Sequence, residues 1–336
     1  MTDKVNIIIP SITINSELLK CLKETNKIYY SNFFVTIVLD YDSKIKLPRF
    51  KFKVFKLLTG KINMSKKRNI AVKNFKSKYI AFLDSDAYPN KNWLKLATKY
   101  LKNKKCHVVG GPGLPFPNQS SSEKICYYSK RSYFVTGYLS FRKYKAKQRY
   151  CDWLEACNLI MERKFFLKYG GMDNKRYTGE DSEFFQRMQK KDPNLKVFYS
   201  PDLYIHHKER RMFGFFLQRF VFGMDLLNLI KFNSGFNGLQ PILPVLVLIS
   251  LVGLLLSNIG LFSKVIVFST FIILINASIL FEINKYIKSF KILFFTLVTI
   301  NLANLAFALG SITTFFGLRK FLVNKIYLHS RNKNKY

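Results

Sequence analysis

The chain has 336 residues and a formal charge of +35 at neutral pH, and its apolar residues are distributed unevenly. Its length predicts one domain of ordinary size with an appendage. The basic residues are scattered and no nucleic-acid-binding module is recognisable, so the charge favours anionic lipid and a diphosphate ligand over nucleic acid. The five cysteines form no C-x-x-C pair, which argues against a zinc site and a disulfide framework.

The N-terminal part alternates strand-like and helix-like patterns. Residues 5–9, 35–39 and 79–83 are short apolar runs with β-branched or aromatic residues, and each is followed by Pro or Asp. Such runs are typical of buried parallel strands. The segment between the first two has helical periodicity, and Asn90 is placed to cap a further helix. The alternation predicts an α/β sheet.

Polar residues follow the predicted strands at the edge where open α/β sheets bind ligands: Ser11, Asp40 and Asp84. Asp84 and Asp86 form a D-x-D sequence directly after Leu83. Two such carboxylates suit Mg²⁺ or Mn²⁺, whose remaining ligands are substrate phosphates and water. The alternative interpretation of an isolated D-x-D is an ordinary turn after a strand.

A second acidic cluster, TGEDSE at 178–183, precedes apolar residues at helical spacing. Glu180 and Asp181 are therefore expected in the first turn of a helix. The helix dipole favours ionised carboxylates there, which suits a hydrogen-bond acceptor or a base for a substrate hydroxyl. Acidic capping without a catalytic role is the alternative.

The C-terminal part, residues 236–320, contains three apolar runs at about 242–262, 265–283 and 292–318. Their lengths predict transmembrane helices, with a bundle of buried soluble helices as the alternative. Residues 213–232 form either an interfacial helix or a core helix. A basic tail, 321–336, follows.

The N-terminus has no signal-peptide pattern, so the globular part, residues 1–235, is expected in the cytoplasm, anchored to the cytoplasmic membrane by several passes. Three crossings place the basic tail outside, against the positive-inside rule. The number of crossings and the side of the tail therefore stay open.

Several motifs occur in order along the chain: a strand before Pro10, VLDYDS at 38–43, KKRN at 66–69, FLDSDAYP at 82–89 and KYGGMDNKRYTGEDSEFF at 168–185, followed by a histidine pair. Together they resemble family 2 glycosyltransferases over roughly residues 5–225. The resemblance implies a GT-A fold, with a Rossmann-like mixed sheet flanked by helices, and an inverting reaction.

The resemblance also implies roles for single residues. Asp181 would be the catalytic base, and Glu180 would orient the acceptor hydroxyl or support Asp181. Asp86 and Asp84 would bind the metal and the diphosphate. Of the pair His206 and His207, His207 is assigned to the metal, with a surface histidine pair as the alternative.

The donor is expected to contact Pro10, Ser11, Asp40, Arg68, Asp84 and Asn158. In this set Asp40 would contact the nucleoside, although the family's D-D-G-S reads D-Y-D-S here. Arg68 would approach the diphosphate or form a surface ion pair. Asn158 matches the asparagine of a G-A-N segment that lines the cleft, but Cys157 replaces the usual small residue.

These features predict an inverting, metal-dependent glycosyltransferase that takes a UDP- or GDP-sugar as donor. Its acceptor would be a hydroxyl or phosphate of a lipid-linked molecule or glycan at the membrane, in cell-surface polysaccharide or glycolipid synthesis. One alternative is a sugar nucleotidyltransferase, but PSITINSE at 10–17 lacks a glycine-rich basic phosphate loop. The other is a non-enzymatic, basic membrane-surface scaffold.

Overall fold

A computed structural model describes residues 2–103, 106–176, 179–232, 239–318 and 322. It divides into two compact units. The first unit comprises Met1–Phe116 and Phe141–Lys208, and the second comprises Pro117–Ser140 and Glu209–Tyr336. All of the predicted basic tail except residue 322 lies outside the described residues.

The first unit contains two sheets. The larger has eight strands in the order β3-β2-β1-β4-β9-β6-β10-β8, and the smaller has the order β5-β11-β7. In chain order the strands are β1 (Val5–Ser11), β2 (Phe33–Leu39), β3 (Lys53–Leu58), β4 (Tyr79–Leu83), β5 (Ala87–Pro89), β6 (Val108–Gly110), β7 (Gly113–Pro115), β8 (Arg149–Tyr150), β9 (Asn158–Glu162), β10 (Val197–Tyr199) and β11 (Ile205–His207).

The large sheet is mixed. Its β1, β2, β3 and β4 are parallel neighbours, whereas β9 is inserted antiparallel between β4 and β6. Strands β1, β2 and β4 are buried along their whole length, as expected for parallel strands covered on both faces. The prediction of an α/β sheet flanked by helices is therefore confirmed.

The small sheet places the histidine pair beside the strand that follows the D-x-D sequence. His206 pairs with Tyr88 and His207 with Ala87 across antiparallel β11 and β5. Because side chains alternate between the two faces of a strand, the two histidines point in opposite directions.

The helices of the first unit are α1 (Ser16–Thr25), α2 (Met64–Asn74), α3 (Trp93–Asn103), α6 (Arg163–Lys168) and α7 (Glu180–Lys191). Asparagine side chains cap the first two: Asn15 accepts from the Leu18 amide and Asn63 from the Lys66 amide. Helix α7 begins at Glu180, after Gly179 in the left-handed conformation (φ 65°). All three acidic residues of the second cluster, Glu180, Asp181 and Glu183, thus lie in its first turn.

The second unit is helical. Its α-helices are α4 (Ser121–Arg131), α5 (Tyr133–Thr136), α8 (Met212–Gly223), α9 (Leu226–Phe232), α10 (Leu243–Leu256), α11 (Leu261–Ile283) and α12 (Phe290–Phe315). Two segments, Leu261–Ile283 and Phe290–Thr314, are long and apolar enough to cross a membrane.

The first predicted run, 242–262, does not form one long helix. Helix α10 has 14 residues, and the chain becomes extended at Ser257 before α11 begins at Leu261. At 1.5 Å per residue, α10 extends for about 21 Å, less than the roughly 30 Å of a hydrocarbon core. The end of the run belongs instead to α11.

Candidate functional site

Asp84 and Asp86 lie just beyond the carboxyl end of β4. The Ala87 amide donates to the Asp84 carbonyl (3.1 Å), so the backbone turns and enters β5. About one third of each carboxylate side chain is exposed, 32% for Asp84 and 34% for Asp86. Both are therefore accessible from the sheet edge that was predicted to bind ligands.

His207 faces both carboxylates. Its Nε2 atom lies 3.7 Å from Oδ2 of Asp84 and 3.6 Å from Oδ1 of Asp86. Its Nδ1 atom is 2.9 Å from the Lys208 carbonyl, which can only accept a hydrogen bond. Nδ1 therefore carries a proton, and in the neutral ring the lone pair of Nε2 points toward the aspartates.

This arrangement fits a divalent metal ion. A metal-binding histidine usually donates its other ring N–H to a carbonyl or carboxylate, as Nδ1 does here. Ligand atoms of Asp84, Cys157 and His207 lie within 4.8 Å of one another. Burial raises the pKa of the Cys157 thiol well above its usual value, and Mg²⁺ and Mn²⁺ prefer oxygen to sulfur ligands. Carboxylate oxygen and imidazole nitrogen are therefore the suitable ligands.

The two carboxylates differ electrostatically. Burial opposes ionisation of Asp84, but the nearby His207 side chain and the charge of Arg68 outweigh burial and lower the pKa of Asp84 to about 2. For Asp86 burial dominates, with repulsion from Asp84, and its pKa is raised. Asp84 is the member that stays ionised over the wider pH range.

Arg68 connects the two acidic clusters. It lies on α2, and its side chain is only 4% exposed. Nη2 donates to Oδ1 of Asp84 (2.9 Å) and Nη1 to Oε1 of Glu180 (3.3 Å). Since Glu180 lies 96 positions after Asp84 in the sequence, the fold brings the clusters together through one buried guanidinium group.

Glu180 and Asp181 are half-buried and interact with each other. Burial and the charge of Asp181 raise the pKa of Glu180 to about 7, and burial also raises the pKa of Asp181. The Asp181 carboxylate accepts from the amides of Ser182 (2.9 Å) and Ala156 (3.3 Å). A carboxylate that is held in place and binds protons more readily than usual suits a general base.

Glu155 belongs to this region but was not predicted. Lys143 donates to both of its carboxylate oxygens (2.9 and 2.8 Å), and Arg142 lies 3.7 Å away. These cations outweigh burial and lower the pKa of Glu155 to about 2. Glu155 thereby fixes the segment whose next amide, that of Ala156, donates to Asp181. The sequence has no motif that marks this contact.

Asp40 and Ser11 lie nearby but are engaged within the fold. The side chains of Asp40 and Lys67 are almost completely buried, and their charged atoms are 2.7 Å apart. Lys67 also donates to the Ser11 carbonyl, while the Ser11 hydroxyl donates to that of Thr13 (2.9 Å). The predicted nucleoside contact of Asp40 stays a prediction, and its carboxylate has a structural partner.

The side chains of Asn158 and His206 are engaged with other parts of the fold, although their chain neighbours Cys157 and His207 belong to the cluster. The Asn158 side chain accepts from the Trp93 indole (2.8 Å) and donates to the carbonyls of Gly111 (2.9 Å) and Leu203 (2.7 Å). With 2% exposure, this side chain joins buried elements, and the predicted cleft role of Asn158 stays a prediction. Pro10 is buried within β1, and His206 Nδ1 approaches the Pro115 carbonyl (2.7 Å).

Residues 6–158 match the family model described as glycosyl transferase family 2. This part of the chain is similar to family 2 glycosyltransferases. The match includes Asp40, Arg68, Asp84 and Asp86, whereas the Glu180-Asp181 pair lies beyond it. The chain is therefore a glycosyltransferase, and the scaffold interpretation is set aside.

The fold of this chain is similar to that of a solved structure, the first of the two described here. A mannosyltransferase, PcManGT from Pyrobaculum calidifontis, in complex with GDP-Man and Mn²⁺, has a TM-score of 0.58 and 13% identity, over 93% of this chain and 88% of that one. TarS from S. aureus has a TM-score of 0.43 and 16% identity, over 76% and 44%. The mixed sheet with its flanking helices is thus a GT-A fold. No curated protein matches the chain.

Proposed function

We propose that this glycosyltransferase moves a sugar, with inversion, from a UDP- or GDP-sugar to a hydroxyl or phosphate of a lipid-linked or glycan acceptor at the cytoplasmic face of the membrane. The product would belong to a cell-surface polysaccharide or glycolipid. The observation that carries the proposal is the Arg68 contact with both Asp84 and Glu180, because it joins a metal-ligand set to a candidate base.

Asp84, Asp86 and His207 would hold Mg²⁺ or Mn²⁺. When bound, the ion neutralises charge on the departing diphosphate, so that side of the reaction needs no general acid. The similar PcManGT structure contains Mn²⁺, and this chain presents a donor set that suits either cation. Arg68 adds a fixed positive charge beside Asp84, where the diphosphate is expected.

Asp181 would take the proton from the acceptor. A single displacement needs a nucleophile directed at the anomeric carbon and a base within hydrogen-bond reach of it. The Ser182 and Ala156 amides fix the Asp181 carboxylate, and burial raises its pKa. Glu180, held by Arg68, would orient the hydroxyl.

The second unit would hold the enzyme at a membrane. Both candidate spans expose large apolar side chains, for example Phe262 (79%), Phe281 (72%) and Phe290 (83%). Apolar surface of this extent is typical of a face that contacts lipid. A membrane location would bring a lipid-linked acceptor to the enzyme.

The test uses the purified full chain with a panel of UDP- and GDP-sugars, with Mg²⁺, Mn²⁺ or EDTA, and measures released nucleoside diphosphate. We expect release from one donor class, and only with a divalent ion. Asp86→Ala should weaken metal-dependent binding of the nucleoside diphosphate. Asp202→Ala, which removes an exposed carboxylate of the same unit outside the predicted site, is the matched control and should leave binding unchanged.

Asp181→Asn separates chemistry from binding. The amide keeps the side-chain shape but cannot accept a proton as a base, so transfer should be lost while metal-dependent nucleotide binding remains. Full transfer activity in Asp181→Asn would remove Asp181 from the base role. Unchanged metal-dependent affinity in Asp86→Ala would remove Asp86 from the metal site.

A further inference from the structure

Arg219 is a buried cation in the second unit for which the reaction gives no role. It lies on α8, whose buried residues are Phe215, Arg219 and Gly223. They are spaced four apart and so form one face of the helix. Arg219 is the only charged residue of α8 and is 8% exposed.

In the described parts of the chain, no acidic residue neutralises Arg219. The second unit contains four acids, and each is bound elsewhere: Glu123 to Ser120, Glu209 to Lys130, Asp225 to Asn228, and Glu282 to Ser132 and the Tyr133 amide. The Nε atom of Arg219 is buried without a hydrogen-bond partner among the described residues. Burial lowers its pKa to about 10, so Arg219 remains charged at neutral pH.

The helices around the guanidinium group are closely packed. Its central carbon lies 4.7 Å from the centre of the Phe307 ring on α12. One turn further along α8, a Cβ atom on Gly223 would lie 1.9 Å from the Phe307 carbonyl oxygen, and one on Gly310 would lie 2.0 Å from that of Phe220. The backbones of α8 and α12 thus touch beside Arg219.

A rigid, apolar setting with one uncompensated positive charge is suited to an anion. Arginine presents a planar fork of N–H groups that matches a phosphate group. The surrounding helix is rich in phenylalanine, and the same unit carries the two candidate membrane spans. We infer that Arg219 binds the phosphate group of an amphiphile, a phosphate joined to an alkyl chain, at α8 and α12 of the second unit.

This inference rests on the proposed membrane location, but its test does not depend on transfer activity. Decyl phosphate is titrated into the detergent-solubilised full chain by equilibrium dialysis, with wild type, Arg219→Met, Arg219→Lys and Arg211→Met compared. Arg211 is the exposed residue before α8, so its variant removes the same charge outside the buried face.

Wild type and Arg211→Met should bind decyl phosphate equally, and Arg219→Met should bind about tenfold or more weakly, because a charged hydrogen bond is lost. Arg219→Lys should be intermediate, since it keeps the charge without the fork. Met removes an unpaired buried charge, so the variant is expected to fold. Equal binding by wild type and Arg219→Met would overturn the site.

Inorganic phosphate as competitor separates the two sources of the anion. We expect inorganic phosphate to compete only weakly. If it competes as strongly as decyl phosphate does, the alkyl chain contributes nothing to binding, and the inference of an amphiphile is refuted in favour of a site for free phosphate. Metal-dependent nucleotide binding is measured on the same samples. If that binding is absent, the proposed enzyme function fails whatever the result for Arg219.

Discussion

The buried pair of Asp40 and Lys67 allows a structural role of Asp40 to be separated from a role in nucleoside recognition. Both side chains are at most 1% exposed, and their charged atoms are 2.7 Å apart. Lys67→Met would leave a buried carboxylate without its cation. Breaking a buried ion pair in this way costs about 3 to 5 kcal/mol.

The double variant Lys67→Met/Asp40→Leu removes both charges. Because a well-packed apolar pair can replace a buried ion pair with little loss, most of the stability should return. The Ser11 carbonyl would still lack the hydrogen bond from Lys67, which leaves a residual loss of about 1 kcal/mol. The two substitutions should therefore be strongly coupled.

The assay is thermal unfolding followed by tryptophan fluorescence. The chain has two tryptophans, Trp93 and Trp153, and both belong to the first unit, so the signal reports on the unit that contains the pair. The loss in Lys67→Met corresponds to a decrease in Tm of about 6 to 20 °C for a unit of this size. Additive effects in the double variant would refute the ion-pair explanation.

Nucleotide binding to the double variant then decides the role of Asp40. If stability returns but metal-dependent binding of nucleoside diphosphate does not, the Asp40 carboxylate itself contacts the nucleoside. If both return, Asp40 supports the site only through Lys67.

Three further substitutions test the site itself. His207→Ala should weaken Mn²⁺-dependent nucleotide binding about tenfold or more, measured by titration with and without the metal, because Nε2 faces both aspartates; unchanged binding would exclude it as a ligand. Glu180 has a pKa of about 7, so activity should rise with pH near 7 as its ionised form comes to hold Arg68. Glu180→Gln should remove this rise in the pH profile of kcat/KM. If the rise persists in the variant, another group is responsible for it. Glu155→Gln should lower kcat about tenfold with little change in donor KM, since it loosens the segment that donates to Asp181. Glu162→Gln, which affects the ion pair with the exposed Lys164, is the control. An equal decrease in kcat in the control would contradict the positioning role of Glu155.

The strands were predictable where burial was complete. Strands β1, β2 and β4 are apolar along their whole length, so their sequence carries the signal of two covered faces. Strand β3 escaped prediction because it is an edge strand with exposed lysines, KVFKLL, and its stability comes from pairing with β2. The local sequence pattern of a strand does not indicate which strand it pairs with.

In the candidate site, too, some residues have a local sequence signal and others do not. Asp84 and Asp86 follow a predictable strand, and Glu180 and Asp181 begin a predictable helix, so each pair has a local signal. The contact of Glu155 with Lys143 has none, because a salt bridge between two irregular segments has no characteristic spacing. Asn158 differs from both: the resemblance implies a place in the cleft, and the structure adds hydrogen bonds of its amide to Trp93 and two carbonyls that no sequence motif predicts.

The contacts of Arg68 lead us to expect that donor binding is coupled to the acceptor side. In the absence of other cations its guanidinium is shared by Asp84 (2.9 Å) and Glu180 (3.3 Å). A divalent ion bound by Asp84 would compete for that carboxylate, and the attraction of Arg68 for Glu180 would then become relatively more important. Because ionised Glu180 is favoured by a nearby positive charge, loading the donor should lower the pKa of Glu180 and fix its carboxylate before the acceptor arrives. Ordered binding, with the nucleotide-sugar first, is therefore the kinetic scheme that this geometry favours, and product-inhibition patterns that require the acceptor to bind first would contradict it.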